Sequence, residues 1–154
     1  MTKILALLAL VCLAAAGQTN NFAAAGVSYN PGGSPSVAGT ALYARLITGS
    51  GTWAFTVIDA LPQSVKPFSV STAISAGISQ KLATISGIDV YVPTSAGVSY
   101  TGKNTGWQWS SGGMAAIKLH GAWRILPNVR FLKSSVSNGS DYQVIAGIMF
   151  GTGW

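Results

Sequence analysis

Apolar residues recur at every second position along most of this chain, and after Gln18 no stretch carries them at helical spacing for three turns. From Phe68 to Ser79 the even positions are Phe68, Val70, Thr72, Ile74, Ala76 and Ile78, while the odd positions are mostly serine and other small residues. Asp141 to Trp154 repeats the pattern, with Tyr142, Val144, Ala146, Ile148, Phe150 and Trp154 on one face. A period of two places successive side chains on opposite faces of a strand, so each segment predicts a strand with one apolar face.

The same parity predicts eight strands, near 22–30, 37–48, 52–60, 68–79, 87–100, 106–119, 122–134 and 141–152. Connections after the first, third, fifth and seventh are expected to be loops of about five to seven residues rich in turn formers. Those at Gly49-Ser50-Gly51 and His120-Gly121 are tight, and the one near Gln80 to Ser86 is ill-defined. Eight strands with alternating short and long connections outline an antiparallel up-and-down transmembrane β-barrel. Pro93 and Pro127 fall inside predicted strands, and a closed barrel has no edge to hide them. They call for bulges or for shorter strands.

The aromatic residues separate a barrel from a soluble β-sandwich, which would collect them in its core. With the apolar parity outward, one end carries Tyr29, Phe68, Tyr100, Trp107, Trp109, Phe131 and Tyr142. The other carries Trp53, Phe55, Trp123, Phe150 and Trp154. Twelve of fifteen aromatic residues thus form two expected girdles at the headgroup levels of a bilayer. In this pattern the chain resembles the small eight-stranded bacterial outer-membrane barrels of the OmpA and OmpX type. Its C-terminal strand, apolar at alternate positions and ending in Trp154, is similar to the segment that the outer-membrane insertion machinery reads in such proteins, although Thr152 interrupts the apolar set. The resemblance implies a Gram-negative outer-membrane location. The partners it implies are outer-membrane lipid, lipopolysaccharide and the insertion machinery.

The N-terminus fits that destination. Met1-Thr2-Lys3, the apolar run Ile4 to Leu13 and the small residues Ala14 to Gly17 have the three regions of a secretory signal peptide, expected over residues 1–17, with the barrel over 18–154. The apolar run is too short for a membrane-spanning helix, which takes about 20 residues. Cleavage removes Cys12, so disulfides and thiolate metal sites are not expected. It also removes Lys3, leaving eight Lys and Arg against three Asp in a chain with only 8% charged residues. Such a composition excludes disorder and gives a soluble domain little with which to wet its surface.

If the polar parity faces inward, Arg45, Asp89, Lys118, Arg124 and Arg130 enter the lumen and form a polar plug, since eight strands enclose a space that side chains just fill. The porin-like architecture is therefore expected without a wide pore. Asp89 is expected opposite Lys118, from a hairpin register that sets Tyr100 against Trp107. His120, the one histidine, reads as a polar turn residue. Barrel enzymes that modify lipid A use a His with Ser and an acidic partner near the outer leaflet, whereas His120 is expected at the periplasmic end. One His, three Asp and a Cys lost with the leader do not assemble a closed metal shell. The cations are too scattered for a nucleic-acid interface. The expectation is an exported, non-enzymatic barrel without cofactor, with a structural, envelope-maintaining or minor transport role; the alternative is a secreted β-sandwich binding module.

Overall fold

A computed structural model describes residues 20–29, 37–49, 51–65, 68–101, 104–135 and 142–153. The leader expected at 1–17 and the terminal Trp154 lie outside the described residues. Eight strands follow in order: β1 (Asn21–Tyr29), β2 (Val37–Thr48), β3 (Thr52–Val65), β4 (Phe68–Ile85), β5 (Ile88–Thr101), β6 (Asn104–Lys118), β7 (Trp123–Ser134) and β8 (Tyr142–Gly153). Each pairs antiparallel with the next, and β1 pairs with β8 from Phe22↔Gly153 to Tyr29↔Ala146, which closes the sheet. One sheet closed on itself leaves no second layer, so the architecture is a barrel and not a sandwich.

The hydrogen-bonded rows climb around this barrel. One row passes through Ile125, Phe150, Ala25, Ala41, Ile58, Ile74, Val98 and Trp107, touching all eight strands. Ile125 also pairs with Ile117 on β6, so the row returns to β6 at residue 107 instead of 117, a stagger of 10 residues. A stagger of this kind is what tilts strands against a barrel axis. The lower end of the barrel carries the turns at Gly49 and Gly51, at 86–87 and at 119–122.

Two connections are shorter than the composition suggested. β3 runs through Pro62 to Val65 and pairs there with Phe68, and β5 reaches Thr101, which pairs with Asn104. Cross-strand pairing thus overrides the turn signal of Pro62. Tyr100 consequently faces Thr105, and Val98 faces Trp107, a register two residues away from the expected one. The ill-defined fourth connection resolves into a two-residue turn. Ser86 and Gly87 both take positive φ, at 51° and 80°, the geometry whose twist matches flanking antiparallel strands. β4 therefore continues to Ile85.

Neither proline sits at a bulge, and neither shortens its strand. Pro93 pairs with Ser79 on β4, but the β5–β6 ladder is silent between Tyr91↔Met114 and Thr94↔Ser111 and resumes without a register shift. Pro127 pairs with Ile148 on β8, while the β6–β7 ladder is silent between Met114↔Asn128 and Ile117↔Ile125. A residue without an N–H is tolerated where one flanking ladder opens. Both openings abut β6, at Gly112-Gly113 and at Ala115-Ala116.

Inward residues divide by height. Phe22, Leu42, Trp53, Phe55, Val57, Tyr91, Leu126 and Met149 form a buried apolar cluster toward the lower end. Ser28, Thr40, Asp59, Ser75, Ser95, Ser99, Gln108, Asn128 and Arg130 are buried in the remainder. In so narrow a lumen some strands approach until a side chain no longer fits. A Cβ on Gly97 would lie 2.0 Å from the Ile74 carbonyl oxygen and 2.5 Å from the Ser75 Cα, whereas one on Gly39 meets nothing within 4 Å. Gly97→Ala should therefore lower unfolding stability in detergent by roughly 2 kcal/mol, with Gly39→Ala within about 0.5 kcal/mol of the parent, as urea titration would read.

Candidate functional site

The most constrained part of the molecule is a polar strut across the lumen. Asp59 on β3 and Arg130 on β7 stand four strands apart on a ring of eight, so they face each other across the diameter. Arg130 Nη1 donates to Asp59 Oδ2 at 3.1 Å and Nη2 to Oδ1 at 2.8 Å, a bidentate pair with side chains 9% and 3% exposed. Thr40 donates its hydroxyl proton to Asp59 Oδ1 at 2.7 Å. Because that proton is committed, the 3.2 Å contact between Ser28 and Thr40 has Ser28 as the donor.

Small residues beside the pair leave it room. Ala73 pairs with Asp59 on β4, and Gly112 pairs with Arg130 on β6. Around the strut, Gln108 donates to Ser75 at 2.9 Å, Ser95 and Ser110 join at 2.9 Å, and Ser99 meets Ser134 at 3.1 Å. Two small spaces inside measure about 30 Å³, lined by Phe22, Trp53, Phe55, Tyr91 and Pro93 among others, and about 20 Å³ beside Thr40, Asn128 and Arg130. Each has room for about one water molecule. These contacts tie non-adjacent strands to one another across the lumen, β3 to β7, β4 to β6 and β5 to β7.

The expected plug residues divide three ways. Arg130 is inside and carries the strut. Asp89, Lys118 and Arg124 are on the inward parity at the lower mouth, where Asp89 accepts from Lys81 Nζ at 2.6 Å and from the Thr84 hydroxyl at 2.6 Å. Asp89 pairs with Ala116 instead of Lys118, the consequence of the two-residue change in register. Arg45 is a correction. It is exposed and points outward, because the whole of β2 turns the parity of Ala38, Thr40, Leu42 and Ala44 inward. Tyr43 turns outward with it and donates to Asn21 Oδ1 at 3.0 Å.

The expected girdles divide as well. Tyr29, Tyr100, Trp107, Trp123, Phe131 and Phe150 are outward and exposed, and Trp109 is outward and half-buried. Trp53 and Phe55 are corrections: both are buried in the lumen, where their volume fills the lower core. Phe68 and Tyr142 stand on β4 and β8, but their side chains are outside the described set, as is Trp154. Trp53 and Phe55, three and two periods of the pleat from Asp59 on the same parity, read as outward girdle rings from the sequence, which places Asp59 outward with them. The signal was present: an unpaired carboxylate amid an apolar outward face is costly, and that alone favours turning β3 the other way.

No protein-family model matches the chain, and the search of curated proteins finds no match. Among solved structures it is similar to one described as "De novo design of transmembrane beta-barrels", with a TM-score of 0.52 at 14% identity, over 88% of this chain and 98% of the other. The likeness is one of fold: an eight-stranded antiparallel barrel.

The strut makes a quantitative prediction. Arg130→Met alone strands a buried carboxylate and should cost about 3–5 kcal/mol, whereas Arg130→Met with Asp59→Leu should recover most of that loss. Asp89→Ala, at a mouth where Asp89 and Lys81 are about one-third exposed, should cost only about 1 kcal/mol. Urea unfolding of the three variants and the parent in one detergent checks the order.

Proposed function

We propose that the chain is an integral outer-membrane β-barrel protein of the Gram-negative envelope, with a structural or envelope-maintaining role and no enzymatic activity. The observation that carries this reading is the outward row Ile125, Phe150, Ala25, Ala41, Ile58, Ile74, Val98, Trp107. It passes through every strand without a polar side chain, and Phe150, Ile58, Ile74, Val98 and Trp107 in it are exposed. The eight strands close into one layer, and among the described residues none covers that row. Soluble monomers rarely expose a continuous apolar patch of more than a few hundred Å², whereas lipid is its natural solvent.

Secondary features support the same environment. Outward hydroxyls satisfy one another, as Thr94 and Ser111 do at 3.0 Å, which limits their cost in a medium without water. Strands of 9 to 18 residues meet or exceed the roughly 9–11 a tilted strand needs to cross a bilayer. Exposed Tyr29, Tyr100, Trp107 and Trp123 supply the amphipathic rings that favour headgroups. In this reading the partners are outer-membrane lipid and lipopolysaccharide, with the insertion machinery engaging β8. Export through a cleaved leader at residues 1–17 would deliver the chain there. The filled lumen supports a surface or scaffold role over conduction.

The expected result is that the full chain, expressed in a Gram-negative host, fractionates with the outer membrane and runs at different mobility on a gel before and after boiling. A monodisperse, folded sample in plain buffer would sink the membrane assignment.

A further inference from the structure

The strut across the lumen leaves one of its own donors out. A guanidinium donates through Nε as well as through both Nη atoms and has no acceptor of its own. The Asp59 carboxylate takes one hydrogen bond from each Nη of Arg130. Arg130 Nε is buried and has no hydrogen-bond partner among the described residues. A buried N–H of a charged group is costly to leave without an acceptor.

A cavity borders the same residue. Arg130 lines the space of about 20 Å³ together with Thr40, Ser110 and Asn128, and the remaining wall is apolar. That volume exceeds the roughly 10–15 Å³ that one water needs, and a buried water is held by two to four polar partners. Two of the polar neighbours have acceptor capacity to spare. Asn128 Nδ2 donates to the Leu126 carbonyl at 3.2 Å, and no described residue donates to its Oδ1. Ser110 shares one hydrogen bond with Ser95 at 2.9 Å, which leaves its oxygen able to accept another. Thr40, by contrast, already donates to Asp59 and accepts from Ser28.

We propose that this cavity is a binding site for one water molecule, which accepts the hydrogen bond of Arg130 Nε and donates to Asn128 Oδ1 and Ser110 Oγ. A neutral molecule suits the place. Asp59 already neutralises Arg130, so an anion would gain no unpaired charge to offset its desolvation, and a cation would face a guanidinium. A bridging water is nearly as good a partner as a direct hydrogen bond. With it, the strut becomes part of a longer chain that runs from Ser28 on β1 through Thr40, Asp59 and Arg130 to Ser110 on β6 and Ser95 on β5. The site lies within the lumen, so it stands or falls independently of the membrane reading.

The test uses the full chain in a neutral detergent. A crystal structure at a resolution that shows ordered water should place one density peak within hydrogen-bond distance of both Arg130 Nε and Asn128 Oδ1. In solution, the Arg130 Hε resonance is identified as the one retained in both Arg45→Lys and Arg124→Lys. It should give a rotating-frame Overhauser peak at the water frequency, opposite in sign to the diagonal, which separates a bound water nearby from proton exchange. Asn128→Leu removes an acceptor from the site and should abolish both the density and the Overhauser peak. A cavity without ordered density in the parent, a protein acceptor on Arg130 Nε, the lack of an Overhauser peak in the parent, or a peak kept at full intensity by Asn128→Leu would overturn the proposal. The parent measurements decide the matter even if Asn128→Leu does not fold.

Discussion

An eight-stranded closed sheet encloses a volume that its own inward side chains just fill, and the rest of this structure follows from that limit. Every inward position must fit, and an inward polar group left without a partner inside is costly. The Asp59–Arg130 pair is where the two requirements meet. It spans the diameter, accepts a hydrogen bond from the Thr40 hydroxyl, and occupies the space that Ala73 and Gly112 leave open. A pair this deeply buried gains little net stability over apolar residues of equal volume, but losing either member is costly. Its structural effect is therefore to forbid alternatives: β3 cannot turn its other face inward without stranding Arg130.

That constraint propagates to the outside. Once Asp59 is inward, Trp53, Phe55 and Val57 are inward too, and β2 follows through Thr40↔Asp59, Leu42↔Val57 and Ala44↔Phe55. Tyr43 and Arg45 are then outward near the lower end, where a Tyr and an Arg suit a headgroup region and are poorly suited to hydrocarbon. The apolar outward row and the polar strut are two faces of one parity. The same filling argues against a conducting channel, since the lower lumen is closed by Phe22, Trp53, Phe55, Tyr91 and Leu126.

Local exceptions gather on β6. Both prolines open the ladder beside it, opposite Gly112-Gly113 and Ala115-Ala116, and its lower end carries the Lys118–Arg124 juxtaposition. Strand β6 thus combines reduced backbone pairing with a cation paired against a cation at its lower end. Closure on both sides holds it in place, because its remaining pairs keep one register above and below each opening.

Strand number, alternation, the parities of β1 and β4 to β8, and the outward rings at Tyr29, Tyr100, Trp107, Trp123 and Phe150 were legible in the sequence alone, because a closed sheet with one face in the lumen and the other outside writes a period of two into every second residue. Arg130 was legible as an interior cation for the same reason. Its partner was not. β2 and β3 carry apolar residues on both faces, so alternation could not say whether Trp53 and Phe55 face lipid or lumen, and an aromatic ring suits either. The short β3–β4 and β5–β6 connections, the Tyr100↔Thr105 register and the silent ladders at Pro93 and Pro127 depend equally on neighbours far along the chain. Tertiary structure decided these because they rest on closure: only when β1 meets β8 does Asp59 come within reach of Arg130, 71 residues away.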